Sequence, residues 1–161
     1  MSDLINILVS WLEATRAHQF MQTVDWAVPT VQTIHILAIA AVFASSLVLS
    51  GRALQLVGSD WSLAQWGARL NGWIGWGLLV LLVSGVLMIC GEPGRSLNNT
   101  LFRVKVALLL LASALLIAFV RRIGRLDKVA QPTPAGVRIL GGGLMLVWLA
   151  MIVCGRWIAY T

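Results

Sequence analysis

A single histidine, His35, lies inside the charge-free run Val28 to Ser50, which reads VPTVQTIHILAIAAVFASSLVLS. An ionisable group at that depth in an apolar run is costly, so its default reading is a functional contact facing neighbouring helices. Gln32 lies three residues before it and shares its helical face. Glu92, Arg103, Lys105 and Arg156 fall near the ends of the later apolar runs, at a comparable depth. Arg103 and Lys105 are two residues apart, about 200° around a helix, so one faces inward and the other snorkels to the headgroups. Imidazole nitrogen could be an axial ligand of haem b, with Arg103, Lys105 or Arg156 pairing the propionates. It could equally hold a metal, contact a quinone, or be a neutral histidine bonded to Gln32, Glu92 or a backbone carbonyl. The other histidine, His18, precedes the run. A second axial ligand would therefore be a methionine or the same histidine of a second copy.

A second set is sulfur-based. Met88 and Cys90 end one apolar run, and Met151 and Cys154 end another, both at the depth of His35. Thioether and thiolate donors suit Cu(I), although methionine and cysteine are also ordinary core fillers. Cys90 and Cys154 could pair in an oxidising compartment. No Ser-His-Asp set, phosphate loop or carboxylate pair inside an apolar run is present, so hydrolysis and phosphoryl transfer lack support.

The elements that must position these groups are helices in a membrane. The chain has 161 residues, 59% of them hydrophobic and 11% charged, with a mean hydropathy of +0.88. Four runs of about 20 apolar residues match a hydrocarbon core about 30 Å thick. The spacing predicts an all-α, four-span bundle forming one domain, with spans near 28–50, 71–90, 101–120 and 137–155. Asp25 is the expected cap of the first span, and Pro29 suits its first turn. Leu4, Ile5, Leu8, Val9 and Leu12 recur at helical spacing, which predicts an amphipathic N-terminal helix. It would lie in the interface or pack on the mouth of the bundle. The segment WSLAQWGARLNGW from Trp61, capped by Ser59-Asp60, is expected to run along the interface before the second span. CGEPGRSLNN reads as a turn-rich stop, and Asn99-Thr100 as the cap of the third span. Ala40/Ala44, Ala41/Ser45 and Ala114/Ala118 are small-residue pairs suited to close packing in lipid. Most of the eight tryptophans lie near span ends, as interface anchors; Trp148 lies deeper, as packing.

A net charge of +6 would suggest nucleic acid in a soluble protein; here the basic residues flank apolar spans, so topology and lipid headgroups explain them. Seven lysines and arginines fall on the side of the loops after spans 1 and 3, and five on the other. Both termini are therefore expected on the outer side, the periplasm for a bacterial inner-membrane protein. No secretory signal is evident.

The first-span histidine in TIHILAIAAVFASSLVLSGRALQLVG, the basic pair of LFRVKVALLLLASALL and the closing GRWIAY resemble a family of small bacterial inner-membrane proteins of unknown function. The resemblance covers most of the chain and rests on His35, Arg52, Phe102 to Lys105 and Gly155 to Tyr160. The layout is more distantly similar to CopD-type copper-resistance membrane proteins and to the HemJ-type protoporphyrinogen oxidase. The resemblance implies a four-helix bundle with a redox or metal role in the membrane. Cys90 and Cys154 stand outside the pattern. Two functions follow. One is a non-catalytic accessory subunit or anchor of a larger membrane complex, packing on protein partners or on a second copy. The other is a redox module holding haem b or copper, or contacting quinone, around His35.

Overall fold

The computed structural model describes residues 2–57, 61–126 and 133–157, and the side chains of 5–57, 61–126 and 133–153. It is all helical. Its elements are α1 (Ser2–Glu13), α2 (Arg16–Thr23), α3 (Ala27–Ala53), α4 (Leu63–Gly91), α5 (Pro93–Asn98), α6 (Thr100–Ile123) and α7 (Ala135–Trp157). Helices α3, α4, α6 and α7 are each long and apolar enough to cross a membrane, which makes this a multi-pass membrane protein.

Around the bundle the order is α4, α3, α7, α6, with α3 packed along both α4 and α7. Helix α3 is apolar on all sides, as a helix surrounded by neighbours and lipid must be. Its packing on α4 relies on Gly77: a Cβ there would meet Val42 Cγ2 at 2.6 Å, so only glycine lets the two backbones approach. The ring closes less tightly between α6 and α4. These two touch where Gly67 meets Ile123, at one end of the bundle. At the other end they diverge and line opposite walls of a cavity.

Several helix ends differ from expectation. Asp25 does not cap α3. The cap position is Trp26, in helical conformation and without a side-chain bond, and Pro29 sits in the first turn as expected. Helix α4 has no separate interfacial stretch. Ser62 and Gln65 form a reciprocal capping box that starts one continuous helix of 29 residues, while Ser59 and Asp60 lie outside the described residues. At 1.5 Å per residue it is about 44 Å long, so its first turns project past a 30 Å hydrocarbon core. Arg69 of those turns stacks over the Trp61 ring at 5.3 Å. The stop after α4 is a six-residue helix, α5, because Pro93 suits a first helical position. Asn99 caps α6 as expected, its Oδ1 accepting from Leu101 and Phe102 N–H. Helix α3 ends in a Schellman motif, with Leu56 N–H on the Gly51 carbonyl and Gln55 N–H on that of Arg52. Gln55 takes the left-handed position usually given to glycine, at φ 62°.

The N-terminal segment is two helices rather than one. Thr15 breaks it and caps α2 by accepting from His18 N–H. α1 packs on α5, and α2 packs on α4, so the segment covers the mouth of the bundle. Ile7, Leu8 and Trp11 of α1 remain exposed, an apolar face turned outward. Of the small-residue pairs, Ser45 is buried, whereas Ala40, Ala44, Ala114 and Ala118 all face outward.

Candidate functional site

The end of α4 explains the role of the second histidine. The last carbonyls of a helix have no partner within it and must find one elsewhere. Nδ1 of His18 bonds the Cys90 carbonyl at 2.8 Å, and Nε2 of Gln22 donates to the Gly91 carbonyl at 2.7 Å. A carbonyl only accepts, so His18 carries its proton on Nδ1. His18 and Gln22 are four apart on one face of α2, and Met21 between them is 4% exposed against Gly91. This clasp fixes α2 over the bundle mouth. Removing both partners, in His18→Ala/Gln22→Ala, is expected to loosen α2 by about 1–3 kcal/mol. Hydrogen exchange would read this as faster exchange confined to α1 and α2, with the α3 to α7 amides unchanged.

Beneath α2 lies a cavity of about 490 Å³ between α3, α4 and α6, with α7 behind it. That volume falls in the range of small-molecule sites, about 300–1,000 Å³. His35 and Gln32 line it from α3, Gly85 and Met88 from α4, Lys105 from α6, and Trp148 and Met151 from α7. Met21 of α2 and Glu92, Arg95 and Ser96 at the start of α5 complete its mouth. Val28, Leu82, Val86 and Leu110, also on its wall, are exposed on the flank of the bundle. The cavity therefore opens sideways, where the acyl chains of a bilayer would lie.

Within it His35 is held in one orientation. Ser84, in the apolar run of α4, gives its single hydroxyl proton to the Val80 carbonyl at 2.6 Å, the usual back-bond of a helical serine. Its oxygen is then an acceptor, and His35 Nδ1, 2.8 Å away, must be the donor. The neutral ring thus carries its proton on Nδ1 and a lone pair on Nε2, which has no hydrogen bond among the described residues. Gly85 lies against the ring: a Cβ there would stand 3.4 Å from His35 Cε1, in ordinary van der Waals contact. None of Gln32, Glu92 or a backbone carbonyl is the partner of this histidine. Ser84 was the missed residue, and its only sequence signal is a lone hydroxyl amid LLVLLVSGVLM.

The two basic residues divide as their spacing requires. Lys105 lines the cavity, whereas Arg103 is exposed and donates from Nη2 to Thr100 Oγ1 at 3.0 Å. Glu92 is bonded to Arg95 at 3.2 Å, both side chains largely exposed, so the pair adds little stability. This leaves Lys105 without an acidic partner among the described residues.

The sulfur set is only partly assembled. Met88 and Met151 share the cavity with His35, joined by Met21. Cys90 does not line it; the free thiol is buried in the packing of α4, and its backbone carbonyl serves the His18 clasp. The side chains of Cys154 and Arg156 lie outside the described residues. No group of three His, Cys, Asp or Glu residues converges for a metal among the described residues. The cavity's size and mostly carbon lining suit an organic molecule better than a bare ion.

Among the described residues, two buried polar atoms have no hydrogen-bond partner, Ser50 Oγ and Trp148 Nε1. Of these, only Trp148 lines the cavity. It is 4% exposed and packs edge-on against Phe43, with ring centroids 5.2 Å apart.

No curated protein and no solved structure matches the chain, so the expected likeness to CopD-type and HemJ-type proteins is not supported. A family profile covers residues 10–161, which include every described residue of the cavity wall. The chain belongs to that family, DUF6644, a family of unknown function.

Proposed function

We propose that this protein is a non-catalytic subunit of a bacterial inner-membrane redox assembly, and that its cavity takes a lipid-soluble ligand of the quinone class from the bilayer. The observation that carries this reading is the fixed ring of His35. Its free Nε2 lone pair is held on the wall of an apolar cavity that opens toward lipid. Such a nitrogen accepts a hydrogen bond from a hydroxyl, as a quinol head offers. Lys105 donates to the oxygen of either redox form. Aliphatic residues along the opening suit an isoprenoid tail. By the distribution of lysine and arginine, the cavity lies in the outer leaflet and both termini face the periplasm. The exposed alanines of α3 and α6 suit packing on a partner subunit or a second copy.

The test is equilibrium binding of decylubiquinol to protein purified in mild detergent. Saturable binding by the wild type that weakens at least tenfold in His35→Ala is expected; equal binding by both overturns the reading. The same preparation examines the alternatives that imidazole and thioether donors could serve. A Soret band, or stoichiometric copper, lost in His35→Ala would replace quinone by haem b or copper.

A further inference from the structure

We infer that the fixed tautomer of His35 makes the cavity selective for the reduced form of its ligand, and that Ser84 sets this selectivity. This rests on the quinone-class reading. The two forms of a quinone share ring, tail and outline. They differ at the head oxygens, which are hydroxyl donors in one and carbonyl acceptors in the other. Lys105 donates to both, so it does not tell them apart. Gln32 and Ser96, also on the wall, each carry donor and acceptor alike, and Glu92 is taken by Arg95. Discrimination therefore falls to a group that only accepts.

His35 Nε2 is that group. Ser84 Oγ lies 2.6 Å from the Val80 carbonyl and 3.3 Å from that of Leu81, which hold its one proton. It therefore meets His35 Nδ1 as an acceptor, at 2.8 Å. The lone pair left on Nε2 is open to contact. The sealed, unbonded polar atoms among the described residues are Ser50 Oγ and Trp148 Nε1, and Nε2 is not one of them. A quinol hydroxyl donates to Nε2 with nothing rearranged. A quinone carbonyl either faces the lone pair with no proton between them, or forces a change of tautomer. In that change Nδ1 gives up its proton, Nε2 gains one, and the Ser84 hydroxyl turns from Val80 to the bared Nδ1. The bond to Val80 is forfeited, worth about fivefold in a binding constant. Fivefold tighter binding of the reduced form raises the potential of the bound two-electron couple by about 20 mV.

The experiment measures decylubiquinol and decylubiquinone, under argon, on the wild type, Ser84→Ala and Ser84→Thr. The wild type is expected to bind the quinol about fivefold more tightly than the quinone. In Ser84→Ala the ring changes tautomer without breaking a serine bond. That variant should bind decylubiquinone at least as tightly as the wild type, so the preference vanishes or reverses. Ser84→Thr keeps the hydroxyl and should keep the preference. Should the variants fail to fold, the wild-type ratio stands as the test, together with nitrogen NMR of its histidines. His35 should be protonated on Nδ1 both in the free protein and with decylubiquinol bound. Equal binding of the two forms by the wild type, tighter binding of the quinone, or an Nε2-protonated His35 overturns the inference. So does equal weakening of both forms in Ser84→Ala. Each of these leaves a quinone-class ligand in the cavity standing. If the wild type binds neither form, the quinone reading itself falls, and this inference with it.

Discussion

Phe119→Ala is expected to lower the stability of the folded bundle in detergent by about 3 kcal/mol, the lower end of the range for such truncations. Phe119 is the largest of the fully buried side chains, at 0% exposure. Its ring tip stands 3.3 Å from where a side chain on Gly141 would begin, so α7 is packed directly upon it. In a soluble protein the loss would combine the transfer of a ring from water with the cavity left behind. In lipid the separated helices keep their apolar surfaces out of water, so the transfer part largely drops out. The cavity part remains, because the surrounding helices relax incompletely and lose dispersion contacts. That argument places the value low in the range. Phe119→Leu should recover more than half of it. The measurement is thermal unfolding followed by circular dichroism. Phe119 lies fourteen residues beyond Lys105 on α6, about 21 Å along the helix. Ligand affinity measured well below the melting temperature should therefore change by less than twofold.

How much of this was legible beforehand depends on whether a signal was local. Four spans, the Asn99 cap and the opposed placement of Arg103 and Lys105 follow from run length, residue type and helical angle, which a sequence displays directly. The depth of Gln32, His35, Lys105, Met88 and Met151 was also legible, because distance from a span end is a count along the chain. What could not be read is which helices stand side by side. Cys90 shares the depth of Met88, but two positions along a helix turn it to another face, away from the cavity. Ser84 and Trp148 became site residues only once α4 and α7 were placed around α3. His18 looked like a failed second haem ligand. Its actual partner is the end of α4, a backbone acceptor that carries no signature in sequence. Asp25 misled because an acidic residue before an apolar run is a common cap, and here the chain is already helical at Trp26.

Ser84→Ala is expected to reduce quinol affinity by about 10- to 100-fold while leaving the cavity its shape, which makes it the sharpest probe of the His35 arrangement. The substitution removes one oxygen. Its first consequence falls on His35, whose Nδ1–H loses its acceptor at 2.8 Å. A half-buried donor left unpaired costs about 1–3 kcal/mol, equivalent to roughly 5- to 150-fold in a binding constant. The ring can avoid that cost by moving its proton to Nε2, where it meets the cavity. Either outcome weakens a ligand that donates to Nε2, the first by freeing the ring to turn, the second by replacing an acceptor with a donor. Nitrogen NMR separates them. The wild type should show protonated Nδ1 on both histidines, since His18 faces a carbonyl and His35 a committed serine oxygen. In Ser84→Ala only the His35 pair of nitrogen signals should move. Ser84→Thr keeps the hydroxyl and the back-bond to Val80, and should retain both the tautomer and most of the affinity. If Ser84→Ala binds decylubiquinol as the wild type does, His35 recognises its ligand without a fixed tautomer. The oriented lone pair would then not be the basis of recognition.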